Sequence, residues 1–143
     1  MDATKDVVTP CPQPGLFFGD PTKVFGEQDC LFLNIHTTGL PSVTKDMELR
    51  PVFFWIHGGA FQFGHGEMGA GPDYLLESGL VVVTINYRLG PLGFLAMEGT
   101  DITGNQGLKD QLMALRWVKK NIANFGGDPK RITIAGESAG AIR

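Results

Sequence analysis

Three short segments of the chain have the hydrophobic pattern of β-strands. In Leu31–His36 apolar residues occupy alternate positions, which predicts a strand with one buried face. Pro51–Ile56 and Leu80–Asn86 are almost continuously apolar, and the second is rich in β-branched residues, so both are expected to be strands buried on both faces. Since the polar segment 37–50 contains turn residues, we expect the first two strands to pair as neighbours.

A helix and a fourth strand are predicted in the second half of the chain. Between positions 108 and 125 apolar residues recur at intervals of three and four, which indicates one apolar helix face. These residues are Leu108, Leu112, Leu115, Val118, Ile122 and Phe125. Gly126, Gly127 and Pro129 are typical of a helix end, and Arg131–Ala135 is the next strand candidate. Strand, helix and strand in this order predict a parallel crossover and an α/β fold.

The composition excludes several classes of protein. The chain has 143 residues, of which 43% are hydrophobic, and this is too apolar for a disordered segment. Its net charge of −3 argues against a nucleic-acid partner, because nucleic-acid-binding proteins usually carry a basic patch. No apolar run approaches the roughly 20 residues of a transmembrane helix. Met1–Val8 lacks the pattern of a signal peptide, and a new helix is expected to begin just before Arg143.

The two cysteines, Cys11 and Cys30, enclose a segment rich in Gly and Pro that is typical of a surface loop. A disulfide closing this loop would stabilise the fold by about 3 kcal/mol in the chain-entropy model. The alternative is two free thiols in a reducing compartment, where cysteine behaves as a small buried hydrophobe. The residues alone leave both possibilities open.

The segment Gly136-Glu137-Ser138-Ala139-Gly140 matches the pattern G-x-S-x-G directly after the last predicted strand. Glycines on either side of the serine allow a sharp turn from strand to helix, which exposes the Ser138 hydroxyl at the helix N-terminus. An isolated match is more often an ordinary turn. Here a strand precedes it and small residues follow, so the context favours a nucleophile.

A second small-residue segment, His57-Gly58-Gly59-Ala60, follows the strand that ends at Ile56. Backbone N–H groups in such a loop can stabilise an oxyanion, although Gly-Gly alone is also typical of a flexible turn. His57 is expected to be buried and to shape the loop. No metal site is predicted, because no set of possible ligands has a usual spacing.

Gly64–Gly69 satisfies the dinucleotide pattern G-x-G-x-x-G, but it begins eight residues after the strand that ends at Ile56. A dinucleotide site needs the first glycine directly after a strand and a helix behind it. We therefore predict no cofactor.

Five motifs occur in order, and together they resemble those of the type-B carboxylesterases, the cholinesterase-like branch of the α/β-hydrolases. The motifs are Glu27–Asn34, His57–Phe61, Asn86–Phe94, Gly104–Leu108 and Gly136–Gly140. The resemblance implies a partial α/β-hydrolase fold, with a mixed, mostly parallel sheet and crossover helices, cut off just after the nucleophile elbow. It further implies that residues 1–143 are the incomplete N-terminal portion of a single carboxylesterase domain.

The resemblance also implies a reaction: hydrolysis of a small-molecule carboxylic ester through an acyl-serine intermediate. Ser138 would be the nucleophile, and the N–H groups of Gly59, Ala60 and Ala139 would form the oxyanion hole. Cys11 and Cys30 would form a family disulfide, and the full-length protein would be secreted or lie in the endoplasmic reticulum lumen.

Two departures from the family pattern limit these expectations. Many relatives carry Gly at the position of Ala60, and the cysteine loop has no evident counterpart of the choline-binding tryptophan, so choline specificity is not expected. Family order places the triad acid and histidine after the serine, yet neither follows Ser138 here. The isolated chain is therefore expected to be inactive. The alternative is a neuroligin-like adhesion protein, but such proteins lack the serine.

Overall fold

The computed structural model describes residues 9–15, 19–43, 47–69 and 71–142. The strands within these ranges are β1 (Gln13–Pro14), β2 (Val24–Phe25), β3 (Leu33–His36), β4 (Arg50–Ile56), β5 (Val81–Ile85) and β6 (Gly127–Gly136). The helices are α1 (Asp73–Glu77), α2 (Gly90–Phe94) and α3 (Gln106–Asn121), and there are 3₁₀ turns at Ile122–Phe125 and Ser138–Ala141. The N-terminal octapeptide, in which no signal peptide is expected, lies outside the described residues.

The central sheet has the strand order β3–β5–β4–β6. β5 and β6 both run parallel to β4, while β3 is antiparallel to β5 with Leu33 opposite Ile85. The predicted pairing of β3 with β4 is therefore wrong, because β5 lies between these two strands. A hairpin loop of two to five residues would force neighbouring strands together, and the connection 37–49 is too long to do so.

The core lies on one face of the sheet, where buried residues of β4 and β5 pack against α3. Along β4 the residues Val52, Phe54 and Ile56 are buried, whereas Phe53 and Trp55 are only half-buried. The prediction that this strand is buried on both faces is thus wrong for β4. It is correct for β5, in which every residue is buried.

Helix α3 and the turn after it cover the predicted segment, but the helix is rotated relative to the predicted apolar face. Val118 and Ile122 are fully buried, as expected, while Leu112 is 46% exposed. Asp110 is buried instead, because its carboxylate accepts hydrogen bonds from the backbone N–H, Nε and Nη2 of Arg88 at 3.1, 2.7 and 2.6 Å. The face that the helix turns inward therefore includes a carboxylate that is paired with Arg88.

Cys11 and Cys30 form a disulfide that closes a segment containing the small antiparallel pair β1–β2. Both half-cystines are buried. The alternative of two free thiols is excluded. Among the described residues no helix is long and apolar enough to cross a membrane.

The parallel pairing of β4 and β6 determines where the two motif loops lie. Ile56, the last residue of β4, is in register with Gly136, the last residue of β6. The loops that follow these strands therefore leave the sheet at the same edge. The chain thus brings together segments that are about eighty positions apart in sequence.

Candidate active site

The serine of the G-x-S-x-G motif lies at a sharp turn directly after β6. Glu137 is still extended, with φ of −117° and ψ of 141°, whereas Ser138 has φ of 50°. This left-handed conformation costs a residue with a side chain about 1–3 kcal/mol and is typical of functional sites. The Gly140 N–H donates to Glu137 O at 2.8 Å, which closes the turn and leaves Ser138 exposed at its tip.

The two flanking glycines are needed because backbone atoms approach them closely. A Cβ added to Gly136 would lie 2.2 Å from Gly140 O, and one added to Gly140 would lie 2.1 Å from Ile56 O. No side chain fits at either position without a movement of the backbone. The elbow is therefore packed tightly on itself and on the end of β4.

The segment after β4 folds into a compact loop, His57–Gly64, with three successive residues of positive φ. These are Gly59 at 104°, Ala60 at 52° and Phe61 at 61°. Gly59 O accepts hydrogen bonds from the N–H groups of Gln62 and Phe63 at 2.8 and 3.1 Å. The departure from glycine at Ala60 therefore places a methyl group on a backbone conformation that glycine adopts more readily.

The loop and the elbow touch at Gly58. A Cβ added to Gly58 would lie 2.6 Å from Glu137 Oε2 and 3.2 Å from Ser138 Cβ. Within the described residues, the N–H groups of Gly59, Ala60 and Ala139 donate to no other protein group. The structure thus places one exposed hydroxyl on an elbow against which the loop packs, with three uncommitted amides in the two segments.

His57 is buried beneath this loop, as the sequence predicts. Its Nδ1 donates to Gly58 O at 2.7 Å, and its ring stacks on Tyr87 with centroids 4.5 Å apart. Burial lowers the pKa of His57 to about 4 and raises that of Tyr87 to about 12. Both rings are therefore neutral at physiological pH, and the Tyr87 hydroxyl donates to His57 O at 2.9 Å.

Asn86, directly after β5, connects the segment that follows the loop to the disulfide. Its Oδ1 accepts from the Gly66 N–H at 2.8 Å, and its Nδ2 donates to Thr9 O and Cys30 O at 2.8 and 2.9 Å. Sequence reasoning assigned no role to Asn86, to Gln13 or to the Arg88–Asp110 pair. A polar residue beside buried apolar residues indicates that a buried hydrogen bond is needed. The sequence does not show which residue provides the partner.

Other candidate features have structural explanations. Gly64–Gly69 forms turns and no helix begins there, so the geometry of a dinucleotide site is not present. Among the described residues no three His, Cys, Asp or Glu side chains are grouped so that they could hold a metal. The aromatic residues Phe61 and Phe94, which belong to two of the family-like motifs, contact each other with ring centroids 4.9 Å apart.

Comparison with known proteins agrees with this architecture. A family model described as the carboxylesterase family matches residues 1–143. Esterase E4 of Myzus persicae is 50% identical over 128 residues, covering 89% of this chain and 23% of the relative. Venom carboxylesterase-6 of Apis mellifera is 52% identical over 118 residues, covering 82% of this chain and 20% of the relative.

Among solved structures, the juvenile hormone esterase of Manduca sexta with OTFP covalently attached aligns with a TM-score of 0.79 and 38% identity. The alignment covers 93% of this chain and 25% of that structure. The predicted α/β-hydrolase fold, present here in part, is confirmed. The chain spans about a fifth to a quarter of the length of these relatives.

Proposed function

The chain belongs to the carboxylesterase family, and from this premise we propose that the full-length protein hydrolyses carboxylic esters through an acyl-serine intermediate on Ser138. We place residues 1–143 in the N-terminal portion of a single catalytic domain. The observation that carries the proposal is the exposed, left-handed Ser138 on an elbow that packs against Gly58.

In the proposed mechanism the Ser138 hydroxyl attacks the ester carbonyl carbon and gives up its proton to a base. The carbonyl oxygen becomes an oxyanion that accepts hydrogen bonds from the N–H groups of Gly59, Ala60 and Ala139. Preformed donors of this kind each lower the barrier by about 2.7–4 kcal/mol, because they need no reorganisation during the reaction. The intermediate expels the alcohol, which takes up the proton from the base. Water then cleaves the acyl-serine by the reverse sequence.

The base is proposed to come from sequence outside these 143 residues. His57 is neutral, but its Nδ1 is committed to Gly58 O and its ring is buried against Tyr87. His36 lies in the sheet with its Nε2 3.3 Å from Glu67 Oε1. Without a base, a serine hydroxyl is a weak nucleophile near neutral pH. We therefore propose that the 143-residue chain alone does not hydrolyse esters.

The location of the full-length protein is proposed from the disulfide. A buried disulfide forms and persists in an oxidising environment, and one relative is a venom protein by name. Both support a protein that is secreted or lies in the endoplasmic reticulum lumen.

The test is replacement of Ser138 by alanine in the full-length protein, with Ser78→Ala as the matched control. Ser78 is an exposed serine at the end of α1, where its hydroxyl donates only to Tyr74 O. We expect Ser138→Ala to abolish both hydrolysis of p-nitrophenyl esters and labelling by a fluorophosphonate, and Ser78→Ala to change neither. A wild-type protein that remains unlabelled would instead support a non-catalytic adhesion function.

A further inference from the structure

A buried glutamine of the disulfide segment is hydrogen-bonded to the end of the His57–Gly64 loop. Gln13 is 2% exposed and lies in β1, two residues after Cys11. Its Oε1 accepts from the Gly64 N–H at 2.8 Å, and its Nε2 donates to Gly64 O at 3.0 Å. The same Nε2 donates to Cys11 O at 2.9 Å. The side-chain amide thus satisfies both backbone groups of Gly64 and is itself oriented by the half-cystine.

Gly64 is the position at which the loop returns to its own beginning. It has φ of 123°, and a Cβ added to it would lie 2.3 Å from His57 Nδ1. The residue before it, Phe63, lies so close to Gly59 that a Cβ on Gly59 would lie 1.9 Å from Phe63 O. A displacement of Gly64 toward these neighbours would therefore press on His57 and, through Phe63, on Gly59, because the groups are closely packed.

The Gln13 side chain provides both an acceptor and a donor for the backbone of Gly64. Gly64 is buried, so its N–H and C=O both need partners, and among the described residues it belongs to no strand pairing that would supply them. Glutamine offers an acceptor and two donors on one rigid plane, whereas a carboxylate only accepts and an apolar side chain does neither. The Gln13 side chain therefore makes the two hydrogen bonds to Gly64 that a neighbouring strand makes in a sheet.

We propose that Gln13 is a positioning residue for the oxyanion hole. Through Gly64 it fixes the left-handed turn at Gly59 and Ala60, so that their N–H groups point at the developing oxyanion. This role rests on the proposed function of Ser138. Gln13 touches no substrate, so its replacement should lower kcat and leave KM within about twofold, because it acts on the transition state rather than on substrate binding.

The kinetic test compares oxygen esters with thionoesters in the full-length enzyme. A thionoester places sulfur where the oxyanion would form, and sulfur is a poorer hydrogen-bond acceptor, so it gains less from correctly placed amides. We expect Gln13→Met to lower kcat for the oxygen ester about tenfold to a hundredfold and to reduce the oxygen-to-sulfur rate ratio about tenfold. A loss of folded protein alone would lower both rates equally and would overturn the proposal.

Two further variants separate positioning from general damage. Gln111→Met makes the same change at another buried glutamine, on α3, whose Nε2 has no partner among the described residues, and should leave the rate ratio unchanged. Gln13→Glu keeps the shape, but its ionised form would face Gly64 O and Cys11 O. Its kcat relative to wild type should rise as pH falls, since a protonated carboxyl donates again. If the kcat of Gln13→Glu relative to wild type does not vary with pH, the proposal is contradicted.

Hydrogen exchange tests the same contact without relying on activity. In Gln13→Met, peptides that cover residues 57–66 should exchange at least tenfold faster than in wild type, while peptides from α3 should not change. Unchanged protection of 57–66 would overturn the positioning role even in an active esterase. If the wild-type protein proves inactive, the proposed function fails, and the exchange result still decides whether Gln13 holds the loop.

Discussion

Replacement of Gly140 by alanine would test whether catalysis requires the close contact between the elbow and β4. The added Cβ would lie 2.1 Å from Ile56 O and 2.7 Å from His57 O. Both contacts are with backbone oxygens, which cannot rotate away as a side chain could. Since Cβ contacts below 3.0 Å essentially never occur, the two segments must separate by about 0.9 Å.

This separation would act directly on the proposed reaction geometry. Ile56 and His57 lead into the loop that carries the amides of Gly59 and Ala60, while Gly140 belongs to the turn that carries Ser138. A displacement of about 1 Å between a nucleophile and its oxyanion donors costs about a hundredfold in kcat/KM. The same overpacking should lower the free energy of unfolding by about 1–3 kcal/mol.

The assay is hydrolysis of a p-nitrophenyl ester by the full-length protein, with rates normalised to the amount of folded protein measured by near-ultraviolet circular dichroism. Gly71→Ala is the matched control, because a Cβ there would meet only Asp73 Oδ2, at 4.0 Å. We expect kcat/KM to fall about a hundredfold in Gly140→Ala and less than twofold in Gly71→Ala. Gly140→Ala activity within about threefold of wild type, with an unchanged unfolding midpoint, would refute the reasoning.

Two further predictions concern stability, measured by urea unfolding of the full-length protein. Asp110→Ala removes the acceptor of three Arg88 hydrogen bonds. We expect a loss of about 2–3 kcal/mol, which is less than the roughly 3–5 kcal/mol of a fully buried pair, because the Arg88 side chain is 37% exposed. A loss below about 0.5 kcal/mol would show that the pair is not structural. Burial lowers the pKa of His57 from 6.5 to about 4, so as the pH falls the unfolded chain takes up a proton at this residue before the folded chain does. The contribution of His57 to the free energy of unfolding should therefore fall by roughly 3 kcal/mol as the pH drops from above 6.5 to 4. His57→Gln should show a weaker pH dependence over that range, and an identical pH dependence in the variant and wild type would contradict the assignment.

Local signals predicted much of the fold and the location of the candidate site. The apolar run of β5 and the glycines around Ser138 are properties of a few consecutive residues, and the structure agrees with both. Parallel pairing of β4 and β6 then brings Gly58 to Ser138. The strand–helix–strand order predicted a parallel crossover from β5 to β6, but it did not predict that β4 lies between these two strands. The catalytic roles of Ser138 and of the three amides remain predictions.

The sequence could not predict features that depend on distant partners. The position of β3 beside β5 is set by a long connection that periodicity does not describe. Burial of Asp110 depends on Arg88, and an apolar-face argument assigns a carboxylate to solvent. Gln13 lies between two prolines in a segment with no periodicity, so its pairing with Gly64 could not be inferred without coordinates.

The disulfide segment also has a consequence for the order of biosynthesis. A ribosome makes the chain from its N-terminus, so Cys11 and Cys30 are translated, and emerge, before Gly64 and Asn86 do. In an oxidising environment the disulfide can therefore form before the loop has folded against the Cys11–Cys30 segment. The loop then folds on a segment that is already cross-linked, whereas late oxidation would have to act on a core that already buries both half-cystines.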